Sequence, residues 1–70
     1  MTSAEIKALR KRLGMSQAEF SKAYCIQLPT LLHWEHGIRA PQGPARVLLF
    51  LIDKIPDVVK KALEGFRWAA

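Results

Sequence analysis

Only one cysteine, Cys25, stands in the chain. No internal disulfide can therefore close, and the cysteine usage gives no sign of an oxidising compartment. With only two histidines beside it, it falls short of the four ligands a structural zinc centre requires, so no metal site is expected. Long apolar runs are also missing. The longest, Val47 to Ile52, covers six residues, against the ~20 that span a bilayer. Residues Met1 to Glu5 lack a basic region followed by an apolar core, so they do not read as a secretion signal. The expectation is a cytoplasmic protein with no membrane partner. No glycine-rich phosphate cradle is present, and His33 and Glu35, two apart on a helical segment, point in different directions. Neither an enzyme, nor a catalytic residue, nor a cofactor is expected.

Acidic residues are scarce as well: six, against 11 Lys and Arg, give a net charge of +5 and a pI near 9.9. The imbalance is uneven along the chain. Residues 1–46 carry seven cations and three anions, while residues 47–70 carry four cations and three anions. A cationic amino-terminal half fits a polyanionic partner, most simply nucleic acid, which would place the protein at the nucleoid. What remains is ordinary globular composition, 50% hydrophobic and 24% charged over 70 residues. That is one small domain, of a size that buries only about 60% of the surface exposed by its unfolded chain.

The spacing of apolar residues predicts an all-α chain of five helices. Thr2-Ser3-Ala4-Glu5 has the form of a capping box, and Ile6, Leu9 and Leu13 follow at helical steps up to a stop at Gly14. Ser16-Gln17-Ala18-Glu19 repeats the box and opens a second helix with Phe20 and Ala23 inward. Tyr24-Cys25-Ile26 reads as a brief turn. A third helix runs from about Leu28 to His36 and stops at Gly37, with Pro29 tolerated in its first turn. Leu31, Trp34 and Ile38 have the spacing of its core face. Pro44 starts a fourth helix that is apolar nearly all round, hence expected to be buried on more than one face. Pro56 starts a fifth, with Val58, Val59, Ala62 and Leu63 inward and Gly65 at its end. The aromatics Phe66 and Trp68 are expected to cover a seam between subunits. Helices four and five, about residues 44–65, form a candidate dimer or partner surface because a core this small cannot hide all their apolar side chains.

Helices two and three with the turn between them, about residues 16–37, make a helix-turn-helix, the motif whose second helix enters the major groove. Leu13-Gly14-Met15-Ser16-Gln17-Ala18-Glu19-Phe20 resembles the "LGxSQxxF/L" start of helix two in the phage-repressor or Xre-type helix-turn-helix family. Thr30-Leu31-Leu32-His33-Trp34-Glu35-His36-Gly37 resembles that family's "TLxxWExG" recognition-helix ending. Arg39-Ala40-Pro41-Gln42-Gly43-Pro44-Ala45-Arg46 is similar to the "RxPxGPAR" found in antitoxins of the HigA type and related regulators.

The resemblance implies a lambda-repressor-like DNA-binding domain and a sequence-specific regulator. On that resemblance it would act as a homodimer on a palindromic double-stranded operator and would be the autoregulating antitoxin of a small toxin protein; the alternative is a plain repressor with no toxin. It implies that Gln17 grips a backbone phosphate, that Gln27, Leu28, Pro29, Thr30, Leu32 and His33 face the groove, and that His36 and Arg39 contact phosphates beyond the helix. Arg10 and Glu35 would pair across helices one and three, with Arg10 also leaning on a phosphate. Cys25 departs from the glycine common at its position, which raises the question of a strained turn. Leu28 and Pro29 replace polar base readers, which suits thymine methyls and DNA shape and leaves His33 as the best hydrogen-bonding candidate.

Overall fold

The computed structural model describes residues 1–66, and all regular structure among them is helical. Thr2 and Glu5 cap one another: the Glu5 amide donates to Thr2 Oγ1 at 3.2 Å and the Thr2 amide donates to Glu5 Oε1 at 2.7 Å. They start α1, Ser3–Arg12. Ser16 and Glu19 do the same at 3.1 and 2.8 Å for α2, Gln17–Tyr24. The remaining helices are α3, Leu28–Glu35, α4, Pro44–Lys54, and α5, Pro56–Ala62, each with a proline in its first turn. The missing proline amides would have had no intrahelical acceptor there, so these starts lose no hydrogen bond.

Left-handed caps end the first three helices. After α3, Gly37 has φ +73°; its amide donates to the Trp34 carbonyl, and that of Ile38 donates to the His33 carbonyl at 2.9 Å. This pair of bonds satisfies carbonyls that would otherwise be orphaned at the helix end. The same geometry closes α2, but there a cysteine takes the left-handed position, with φ 55° and ψ 39° at Cys25. The amides of Cys25 and Ile26 both donate to the Ser21 carbonyl, and the Ser21 hydroxyl donates to the Ile26 carbonyl. The turn keeps the expected geometry, and Cys25 bears the left-handed strain.

Helices α1 and α2 both pack on α3, and α5 packs on α4 and α2. The core lies between them: Ile6, Phe20, Leu31 and Ile52 are fully buried, with Leu9, Tyr24, Trp34 and Leu49 nearly so. Phe20 and Tyr24 meet with ring centroids 5.0 Å apart and planes tilted by 51°. The Tyr24 hydroxyl donates to the Pro56 carbonyl at 3.3 Å, tying the end of α2 to the start of α5. Arg12 donates to the Asp53 carboxylate at 2.7 Å and ties α1 to the end of α4.

Several expectations are corrected by this packing. Tyr24 belongs to α2 rather than to the turn, because the left-handed residue that stops the helix is Cys25. Ile38 is 64% exposed, because α3 ends at Glu35 and the positive φ of Gly37 takes the chain off the helical path. Helix α4 buries only Leu49 and Ile52 while Val47, Phe50 and Leu51 face outward; one neighbouring layer can cover only one side of it. On α5, Val59 is buried but Val58 and Ala62 are exposed; Val58 lies about 100° round the helix from Val59, and Ala62, one turn after Val58, falls on its side. Phe66 is 56% exposed, as a residue meeting a second subunit would be; Trp68 lies outside the described residues.

One carboxylate organises the amino-terminal three helices. Arg10 donates from Nε to Glu35 Oε2 at 2.7 Å and from Nη2 to Glu35 Oε1 at 2.9 Å, while its Nη1 donates to the Met15 carbonyl at 3.0 Å. The Glu35 side chain has no exposed surface, and that of Arg10 only 12%. Burial pushes the Glu35 carboxyl up, but the hydrogen bonds from Arg10 and Gln17 and the Arg10 charge outweigh it, so its pKa lies below the ordinary 4.5.

Removing one partner of such a pair leaves a buried charge alone. Glu35→Ala is therefore expected to lose about 3–5 kcal/mol, against a total near 4–10 kcal/mol for a chain of 70 residues, readable as a collapse of the thermal transition. A folded-state pKa below the unfolded one contributes stability that is complete above pH 4.5 and vanishes as pH falls through the lowered value. Arg10→Met combined with Glu35→Leu should stay folded and lose less stability than wild type between pH 5 and pH 2; equal losses in urea titrations would refute the role given to this pair. Cys25→Gly is expected to raise stability by about 0.5–1 kcal/mol, because glycine removes the left-handed strain but brings its own chain entropy; a lower melting temperature would contradict this.

Candidate nucleic-acid interface

The outward edge of α3 begins at its cap. Gln27, Leu28 and Pro29 are exposed, whereas Thr30, Leu32 and His33 are half-buried, with Leu31, Trp34 and Glu35 on the opposite side anchoring the helix. For the apolar positions that division follows from the helical period: 28, 29, 32 and 33 share one face and 31 and 34 the other, while Glu35 at the end of the helix is buried by Arg10 and Gln17. A helix of this kind, about 10–12 Å across with side chains, matches the ~12 Å width of the DNA major groove.

Beyond α3, Arg39 borders a shallow groove with Thr30, His33 and Gln42. Arg39 and His36 are both exposed. The structure thus brings Thr30, His33 and Arg39 to one place. Gln42 joins them without having been singled out in the sequence; it lies in the irregular stretch between α3 and α4, just before the Gly43 cap of α4, where no periodicity marks a facing. Gln27 and Thr30 line a second groove, with Cys25, Ile26, Pro44, Ala45 and Leu48 completing its walls.

Gln17 is the first residue of α2, at the positive end of that helix. The capping box engages the amides of Ser16 and Glu19, so the Gln17 and Ala18 amides are the orphan donors left at this end. The Glu19 carboxyl is held below its ordinary value, first by the backbone hydrogen bond at Ser16 and then by the serine hydroxyl. The Gln17 side chain is half-buried, and its Nε2 donates to Glu35 Oε1 at 3.2 Å. A carboxylate oxygen only accepts, which assigns nitrogen rather than oxygen to the inner position of this amide. Through Glu35, Gln17 meets the end of α3 next to His36. No spacing rule could have revealed this bond, since the partners are 18 residues apart. Arg10 stands apart from the other candidates: its Nε and both Nη atoms face Glu35 and Met15, and its part is to hold α1 against α3.

Among the described residues no helix is long and apolar enough to cross a membrane. Residues 6–44 match the family described as helix-turn-helix. Antitoxin HigA-2 of Vibrio cholerae is 32% identical over 60 residues, an alignment covering 86% of this chain and 58% of that protein. The chain therefore spans little more than half the length of this relative. The crystal structure of an HTH XRE-family like protein from Agrobacterium tumefaciens matches with a TM-score of 0.82 at 41% identity, over 90% of this chain and 98% of that one. With a matching family over more than half its length and a like fold at 41% identity, the chain belongs to the Xre-type helix-turn-helix family of DNA-binding regulators.

Proposed function

We propose that this chain is a sequence-specific transcriptional regulator that binds a two-fold-symmetric operator as a homodimer and serves as the autoregulating antitoxin of a toxin–antitoxin pair. The observation that carries the DNA reading is the outward edge of α3 from Gln27 to His33, presented on a frame whose core and ion pair lie entirely behind it. In this reading Leu28 and Pro29 pack on thymine methyls, while His33 and Thr30 supply polar readout. Gln17, His36 and Arg39 meet phosphates and set register without reading sequence.

Two further observations support the dimer and the antitoxin role. The described residues extend 30 × 26 × 22 Å, so one copy fits one half-site and the next half-site, about 34 Å along the duplex, calls for a second copy. Val47, Phe50, Leu51, Ile55 and Val58 are 39–61% exposed along α4 and α5, a stripe that suits a dimer or toxin surface. The antitoxin reading rests on the Arg39–Arg46 segment and on the likeness to Antitoxin HigA-2. A plain repressor of the same family is the alternative.

In gel-shift titrations with the DNA upstream of its own coding sequence, Arg39→Ala should weaken operator and scrambled duplexes alike and make the slope of log affinity against log salt shallower by about 0.9. His33→Ala should instead cost about 1–3 kcal/mol at particular base pairs and relax preference there. Equal wild-type affinity for operator and scrambled DNA at every salt concentration would remove the sequence-specific reading. For the antitoxin role, the product of the adjacent gene should co-purify with this chain and lose its toxicity in its presence; a neighbour that neither binds nor is toxic would leave the plain repressor.

A further inference from the structure

The bond between Gln17 and Glu35 has a use beyond holding helices together. Glu35 Oε1 accepts from Arg10 Nη2 at 2.9 Å and from Gln17 Nε2 at 3.2 Å. Arg10 in turn holds both carboxylate oxygens, so the acceptor that Gln17 meets is itself fixed. The Gln17 amide is thereby held with its nitrogen toward Glu35, which leaves its second Nε2 proton free to donate, on the same first turn as the uncapped amides of Gln17 and Ala18.

We infer that Glu35 is a positioning residue for DNA binding: through its Gln17 Nε2–Glu35 Oε1 bond it pre-sets the Gln17 side chain to donate to a backbone phosphate, so that docking does not have to order that side chain. This rests on the regulator reading above. A free glutamine loses rotamer freedom when it binds, and immobilising such a side chain weakens association about two- to tenfold. The bond makes that loss during folding instead. It also assigns Arg10 an indirect part, since the guanidinium holds the carboxylate that Gln17 meets.

The test is a double-mutant cycle on affinity for the duplex upstream of the coding sequence. It compares Gln17→Ala in wild type with Gln17→Ala in the Arg10→Met, Glu35→Leu background, folding being checked by thermal melts. The expected result is a several-fold loss from Gln17→Ala in wild type that shrinks to under twofold in the double-substituted background. Equal losses in both overturn the positioning role while leaving the regulator reading intact; no wild-type binding to any duplex overturns both.

The free wild-type protein supplies a second readout that depends on no variant's folding. The Gln17 side-chain amide resonances should shift with acid as the Glu35 carboxyl titrates below its ordinary value, and Gln27, which is exposed, should not follow. Unmoved Gln17 signals across that titration overturn the proposal.

Discussion

The buried carboxylate of Glu35 is the constraint on which the rest of this small structure turns. It ends the helix that faces outward, accepts both forks of Arg10 from α1, and takes the side-chain amide at the head of α2. A charge with no exposed surface is tolerated only when it is paired and hydrogen-bonded, and here the partners that satisfy it come from the two other helices of the amino-terminal unit. The electrostatic requirement of one residue thus fixes the relative placement of three helices. The apolar core of Ile6, Phe20, Leu31 and Ile52 is non-directional and sets that placement less sharply.

Much of this was legible in the sequence because the information is local. Both capping boxes depend on residues three apart, the prolines sit where an amide is dispensable, and the stops at Gly14 and Gly37 follow from the positive φ that glycine adopts. The outward edge of α3 followed from helical period alone. What stayed hidden depends on contacts between elements. Ile38 kept the period of α3 on paper, but the chain leaves the helix before reaching it. Val47 and Phe50 look like core residues by type, yet among the described residues they stay 60% and 57% exposed on the outer side of α4. The meeting of Gln17 with Glu35 joins positions 18 residues apart, and the placement of Gln42 beside His33 depends on a loop path that no local rule dictates.

Cys25 illustrates how tertiary context overrides local preference. The left-handed cap of α2 is enforced by amide donors from Cys25 and Ile26 to one carbonyl, by the Ser21 hydroxyl, and by the burial of Tyr24 and Ile26 on either side. These outweigh the roughly 1–2 kcal/mol penalty of a side chain in that conformation. The turn angle between α2 and α3, and with it the presentation of the outward edge, survives a residue that is intrinsically unsuited to the position.

Among the described residues, the side-chain hydrogen bonds that join one helix to another bypass the outward edge: none of them involves Gln27, Leu28, Pro29, Thr30, Leu32 or His33. The side chains at those six positions therefore carry none of these polar ties, although Thr30, Leu32 and His33 stay half-buried against the frame. Their chemistry is open to rewriting by substitution without breaking the ion pairs that hold the helices together. Such a chassis is suited to diverge in what it recognises while its architecture stays put.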